Sequence, residues 1–375
     1  HGRLARRGRP VAGRRRPMTS SEGSGAARGR RMTPGDDQVR LMAKVARMYH
    51  ERGLRQPQIA SELHLSQPRV SRLLKQAAEM GIVRTIVVPP PGLHSHVEDA
   101  IQHAYGLREV IVADVDDDTD VIPALGAATA VYLETTLTGA DTLGISSWSA
   151  TLLAAVEAMR ARKSRVVDEV VQLVGGVGDP TVQMYATRLT GRLAELTGAR
   201  PVFMPAPGLV STPTVRRALM RDPRIAEVSA TWTRLTMALV GIGSLDPSPL
   251  LRDSGNAIAE AEQSELRGLG AVGDICLRFF DASGRLVASR LNQRVVGIGA
   301  RELTGIDRRV GVAGGARKYG AIVAALRGGW VNVLITDLNT ATRLVAEMPV
   351  AGSPRPPAPR AEPGPDEAFS LPHVD

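Results

Sequence analysis

Apolar residues recur at helical spacing between residues 36 and 88. Val39, Met42, Val45, Ala46 and Tyr49 fall on one face of a first helix. Asp36 and Asp37 sit at its start, where acidic side chains suit a helix N-terminus, and Gly53 stops it. A second short helix presents Ile59, Ala60 and Leu63. A third presents Val70, Leu73, Leu74 and Ala77, with Ser66 placed to cap it and Pro68 in its first turn. Leu65 anchors the turn, and small Ala60 lets the helices cross closely. Ile82–Val88 reads as a short β-segment, and Pro89-Pro90-Pro91-Gly92 breaks the pattern at a domain boundary.

Beyond residue 95 the texture changes to apolar, β-branched runs alternating with Ala/Leu-rich stretches. Strands are expected at Glu109–Val115, Thr142–Ile145, Glu169–Leu173, Met237–Ile242, Asp274–Phe279 and Val331–Thr336. Helices are expected at Val121–Thr136, Ala150–Arg162, Thr181–Thr197 and Lys318–Leu326. Continuous apolar strands between helices predict an α/β fold whose parallel sheet is covered on both faces. Gly-rich turns follow several strands, at Gly144-Ile145-Ser146-Ser147, Gly175-Gly176-Val177-Gly178 and Gly241-Ile242-Gly243-Ser244. In such a sheet ligands sit at the carboxyl ends of the strands. Residues 1–35 and 351–375, rich in Arg/Gly and in Pro respectively, are expected to be disordered tails flanking domains at 36–90 and 95–348.

The stretch from Arg55 to Met80 carries the first chemistry. With the apolar residues turned inward, Gln67, Arg69, Ser71, Arg72 and Lys75 are left facing out, beside Ser66. Each of these can hydrogen-bond a base edge or a phosphate. A recognition helix needs such residues near its N-terminus, where it enters the major groove; Arg pairs bidentately with guanine and Gln with adenine. An ordinary helical hairpin with a polar face is the plainer reading. It leaves the coincidence of cap, small crossing residue and basic face unexplained. Gly81-Ile82-Val83-Arg84 suits a short wing with Arg84 near phosphates, so a winged helix-turn-helix is expected.

Charge distribution agrees. Residues 1–90 hold 19 Arg and Lys against 6 Asp and Glu, whereas the rest of the chain has a net charge of −4. Positive charge gathered in one module suits a polyanion, because neutralised phosphates release counterions. Much of the excess lies in residues 1–35, so a solvated tail accounts for part of it. Aromatics make up only 3% of the 375 residues, so Val, Leu, Ile and Ala must build the core. No apolar run is long enough to span a bilayer, so no membrane partner is expected. The single cysteine, Cys276, allows no internal disulfide and no Cys-rich zinc module, and a reducing, cytoplasmic setting fits.

Residues in both halves resemble one family. Ser66-Gln67-Pro68-Arg69-Val70-Ser71-Arg72-Leu73-Leu74 and Glu79-Met80-Gly81-Ile82-Val83 are similar to the DNA-binding domain of SorC/DeoR-type bacterial sugar-responsive regulators. Further on, Gly144-Ile145-Ser146-Ser147-Trp148-Ser149-Ala150-Thr151-Leu152 resembles the family's first Gly/Ser-rich loop. Ala271-Val272-Gly273-Asp274-Ile275, Phe279-Phe280-Asp281-Ala282-Ser283-Gly284, Ala313-Gly314-Gly315-Ala316-Arg317-Lys318 and Leu334-Ile335-Thr336-Asp337 follow in the family's order. The resemblance spans about residues 36–348. It implies a Rossmann-like effector domain similar to the sugar-phosphate isomerase and deaminase fold. It also implies a sugar, polyol or sugar-phosphate effector, operator DNA as partner, and a homodimer or homotetramer. Many relatives carry Trp-Gly where this chain has Trp148-Ser149.

Candidate effector residues follow. Ser146, Ser147, Ser149 and Thr151 lie between a strand and a helix start, where backbone N–H groups favour an anionic or polyhydroxylated ligand. A turn with capping serines is an equal alternative. Gly314 and Gly315 ahead of Lys318 offer a second such place, with Lys318 as a point charge for phosphate. A cation is unfavourable in a helix's first turn, which favours a functional role over a plain surface lysine. Asp274 and Asp281 can accept sugar hydroxyls, although each also suits a turn. Gly144 and Gly241 complete the set, and Trp148 and Trp232 read as core or pocket wall. The competing class is an enzyme such as an isomerase or deaminase. Histidine, the usual neutral-pH acid/base, is absent between residues 104 and 372. There is no Walker loop, nucleophile elbow or metal cluster, and Gly175-Gly176-Val177-Gly178 lacks dinucleotide spacing. A regulator with no catalytic residues, metal or cofactor is therefore expected.

Overall fold

A computed structural model describes residues 34–83, 93–115, 120–139, 141–162, 164–177, 180–246, 252 and 258–348. They divide into two compact units, His1–Val88 and Pro89–Asp375. The expected wing residue Arg84, the Pro89–Gly92 break, Gly178 and both tails lie outside the described residues, except that Pro34 and Gly35 of the expected N-terminal tail open α1.

In the first unit, α1 (Pro34–His50), α2 (Gln56–Glu62) and α3 (Gln67–Glu79) pack around Met42, Val45, Ala46, Met48, Ile59, Val70, Leu73 and Ala77. Asp36 and Asp37 fall in the first turn of α1. Val39 and Tyr49 do not face inward as the spacing predicts; they are 40% and 39% exposed. Met48 takes the inward place, because the buried stripe is set by where α3 crosses. Gly53 ends α1 with φ +67, a left-handed conformation that costs glycine nothing. Ala60 is buried, and Leu65 N–H donates to its carbonyl at 2.8 Å to close the turn.

The second unit is built on a seven-stranded, all-parallel sheet. Its strands are β1 (Glu109–Ala113), β2 (Asp141–Ile145), β3 (Val167–Gln172), β4 (Arg200–Val202), β5 (Met237–Gly241), β9 (Arg308–Val312) and β10 (Val333–Asp337). Their spatial order is β1-β10-β9-β5-β2-β3-β4. Alternate residues of one strand enter opposite cores. Met237 and Leu239 pack on one face with Leu125 and Leu133 of α5 (Val121–Thr136) and Leu152 of α6 (Ala150–Ala158). Leu189 and Leu193 of α7 (Pro180–Thr197) join them. Ala238 and Val240 pack on the other face, with Ile101 of α4 (Ser95–Tyr105) and Ile225 of α9 (Pro223–Thr231). Burial on both faces is why these strands read as unbroken apolar runs. Among the described residues no helix is long and apolar enough to cross a membrane.

From β2 the chain adds β3 and β4 on one side; from β5 it adds β9 and β10 on the other. Neighbouring β2 and β5 therefore border the topological switch point, where an open α/β sheet leaves a crevice beyond its carboxyl edge. Between β5 and β9 the chain makes a small antiparallel sheet of β6 (Gly243–Ser244), β7 (Ala271–Ile275) and β8 (Arg278–Asp281). The expected single strand Asp274–Phe279 is in fact this hairpin. Cys276 and Leu277 both have positive φ, +54 and +62, and form its two-residue turn. Neither residue signals a turn; both are buried in the apolar core, and packing overrides local preference.

Candidate functional site

Three neighbouring strands aim their carboxyl ends at the crevice. After β2, Ser146 Oγ accepts from Gly241 N–H at 3.2 Å, tying this loop to the end of β5. Ser149 caps α6, its Oγ accepting from Leu152 N–H at 3.3 Å. The same hydroxyl lies where a Cβ on Gly241 would reach it at 3.0 Å, so the loop and Gly241 are in close apposition. Trp148, between the serines, has φ +61, which is strained for a bulky side chain. It is 6% exposed, and its Nε1 has no hydrogen-bond partner among the described residues. Three other residues of the expected set turn to packing. Ser147 Oγ donates to Val174 O at 3.1 Å. Gly144 sits against Leu173 and Leu235, and Thr151 is buried.

Beside them stands a pair of opposite charges. Asp274 on β7 is opposite Gly243, and a side chain at Gly243 would collide with its carboxylate. Its Oδ2 accepts from Leu277 N–H at 3.0 Å, which holds the strained hairpin turn. Loss of water pushes the Asp274 carboxyl up to about 6, against the pull of that N–H and of Lys318. Lys318 closes a 3-10 turn (Ala316–Lys318) before α12 (Tyr319–Arg327). Burial lowers its ammonium below the ordinary value, opposed by Asp274 and reinforced by Arg317. Both remain half-buried at the surface, so each is crowded by protein yet reachable.

The Gly314-Gly315 turn is shaped by Asp337, which the sequence motif contains but does not mark as a site residue. Asp337, at the end of β10, is buried and caps α13 (Leu338–Ala346) by accepting from Thr340 N–H at 2.8 Å. It also accepts from Thr340 Oγ at 2.7 Å and from Gly315 N–H at 2.8 Å. Gly315 has φ +87, and a side chain on Gly314 would strike the carboxylate. Asp281 is placed elsewhere. It lies at the far end of the β7–β8 pairing, opposite Ala271, and serves its own turn. Partial burial would raise its carboxyl, but bonds from Ser283 and Arg285 hold it below the usual range.

In the first unit, Ser66, Gln67, Arg69, Ser71, Arg72 and Lys75 are all exposed along the start and outer face of α3. Ser66 caps through its backbone alone, with its carbonyl accepting from Arg69 and Val70 N–H at 2.9 and 3.1 Å. Its hydroxyl makes no capping bond, unlike the expectation. Among the described residues the Arg72 guanidinium donates only to Pro68 O, at 3.4 Å, and Lys75 pairs only with Glu79, at 3.8 Å. These contacts are weak and exposed, and exchange readily for water or phosphate.

Residues 90–346 match the family model described as "Putative sugar-binding domain". The chain is 32% identical over 314 residues to the deoxyribonucleoside regulator of Bacillus subtilis, covering 83% of this chain and 99% of that protein. The chain belongs to the SorC/DeoR-type family of transcriptional regulators. It is also 31% identical over 315 residues to the sorbitol operon regulator of Klebsiella pneumoniae, covering 82% and 98% of the two chains. The crystal structure of that full-length regulator, SorC, superposes with a TM-score of 0.63 at 29% identity, over 82% of this chain and 99% of SorC. The chain is thus a sugar-responsive, DNA-binding transcriptional regulator. In this family member the serine in the Trp148-Ser149 pair has a definite task, as the N-cap of α6.

Proposed function

We propose that this regulator senses a phosphorylated sugar or polyol in the switch-point crevice and transmits its presence to a winged helix-turn-helix built on α2 and α3. The observation that carries the reading is the convergence of Ser146, Ser149, Gly241, Asp274, Gly315 and Lys318 at the carboxyl ends of β2, β5 and β9. A half-buried ammonium supplies a point charge for phosphate, and a raised carboxyl beside it can accept or donate to hydroxyls. The α3 residues Gln67, Arg69, Ser71, Arg72 and Lys75 read bases and bind phosphates in the major groove. One such helix reads a half-site, so the working form is a two-fold homo-oligomer on a palindromic operator in the cytoplasm. The relatives' names and the absence of histidine from residues 104–372 favour a regulator over an isomerase or deaminase.

A thermal-shift panel of sorbitol, sorbitol 6-phosphate, deoxyribose and deoxyribose 5-phosphate tests this. A phosphorylated member should raise the melting temperature, because ligand at about 100 times its Kd adds about 2.7 kcal/mol. Lys318→Ala should weaken that compound's binding by at least about tenfold, as expected for a lost charged contact. A panel in which no carbohydrate shifts either melting or operator affinity defeats the reading.

A further inference from the structure

A second concavity opens in the sugar-binding unit and shares no residue with the switch-point crevice. Its walls come from α8 (Pro213–Arg221), α9 and the start of α11 (Ala300–Gly305). Its volume is about 520 Å³, within the range of small-molecule sites.

Trp232 borders the concavity but is only 3% exposed, so its ring belongs to the core behind the wall. Trp232 Nε1 donates to Gln172 O at 3.0 Å, so the ring is anchored. Small side chains at Ala226, Ala230 and Ala300 leave room beside it. The space suits a compact organic body.

The polar lining is biased toward cations. Arg216 spends its Nε on Val295 O at 2.7 Å, which fixes the guanidinium's position. Arg301 adds a second, exposed guanidinium. The one lining carboxylate, Glu302, is turned back onto Gly299 N–H at 2.9 Å, where it caps α11. An anion entering the concavity therefore meets two positive groups and a carboxylate already engaged. Guanidinium pairs equally well with carboxylate and phosphate.

We propose that this concavity is a second ligand site, which takes a compact anionic metabolite carrying a carboxylate or phosphate. Gly297 in its lining bridges to Val174, whose carbonyl accepts from Ser147.

Calorimetric titration of the full chain with phenyl phosphate, benzoate and neutral benzyl alcohol tests it. At least one anion should bind, and benzyl alcohol at least tenfold more weakly. If only phenyl phosphate binds, the headgroup is phosphate; if only benzoate binds, it is carboxylate. Ala230→Trp, which fills the space, should abolish binding. Arg301→Gln, an exposed change that leaves the fold alone, should weaken it at least tenfold. Lys318→Ala should leave it unchanged, which separates this site from the crevice whatever becomes of the sugar reading. Failure of both anions to bind overturns the proposal. So does binding that ignores Ala230→Trp and Arg301→Gln, or that vanishes with Lys318→Ala.

Discussion

The outer face of α3 and the switch-point crevice are both polar, but they hold their polar groups at opposite cost. On α3 the side chains are solvated and weakly paired, so the proposed DNA interface costs the helix nothing. In the crevice, Asp274 and Lys318 are each held away from their ordinary protonation behaviour, and Trp148 is held in a left-handed conformation. Such costs persist only where the surrounding fold enforces them. Substitutions on α3 should therefore change binding without touching stability, whereas substitutions in the crevice should change both.

The largest expected effect tests the α3 side. Arg69→Ala with Arg72→Ala should cut operator affinity roughly 100-fold or more while the melting temperature stays put. Gel shifts at two salt concentrations check it; affinity insensitive to the changes and to salt removes α3 from the interface. Next comes Asp337→Ala, which strips the α13 cap and leaves Gly315 N–H without its closest acceptor. A loss of about 2–3 kcal/mol in urea unfolding is expected, together with weakened effector binding. An unchanged midpoint would mean the Gly314-Gly315 turn holds itself.

Asp274 gives a pH-dependent test. Its carboxyl in the folded state sits near 6, above the ordinary 3.8, so between about pH 4 and 6 the folded chain keeps a proton that the unfolded chain has released. Stability from this group is complete below about pH 4 and is lost as the pH rises to about 6. Asp274→Asn, which still accepts from Leu277 N–H, should flatten that decline and gain up to about 2 kcal/mol at neutral pH. Parallel wild-type and variant curves from pH 4 to 7.5 contradict the assignment. The smallest effect belongs to Ser149→Gly. Glycine tolerates the cap position, so a few tenths of a kcal/mol are expected in unfolding. A larger loss would give Ser149 a role beyond capping.

Much of this was legible in residue patterns. The helix Val121–Thr136 was bounded correctly, and five of the seven parallel strands stood out because their runs are apolar; Arg200–Val202 and Arg308–Val312, which open on arginines and are less buried there, did not. The serine loop after β2 was readable as a strand-to-helix turn, and the capping alternative weighed for it is the bond Ser149 makes. What escaped depends on distant partners. Asp337 matters because β9 and β10 lie side by side, which brings Gly315 to it from 22 residues away. The Cys276-Leu277 turn escaped because burial, not turn chemistry, holds it. Asp281 could not be separated from Asp274 by type; each holds a turn, and only the fold shows that Asp281 lies at the far end of the β7–β8 pairing while Asp274 is the one that feels the charge of Lys318.

The small antiparallel sheet sits in an excursion between strands that are already neighbours. Met237 of β5 pairs with Arg308 of β9, yet the chain leaves after Gly241 and returns only at Arg308. That excursion carries Asp274 and part of the second concavity, but no strand of the large sheet. Its exchange need not break the large sheet, provided the core residues it contributes, among them Phe280, Val296 and Leu303 packed with Ala238 and Val240, are kept. A chimera that exchanges residues 242–306 with those of a relative keeps every parallel pairing while replacing one wall of each pocket. New ligand preferences can in this way be grafted onto an unchanged DNA-reading partner.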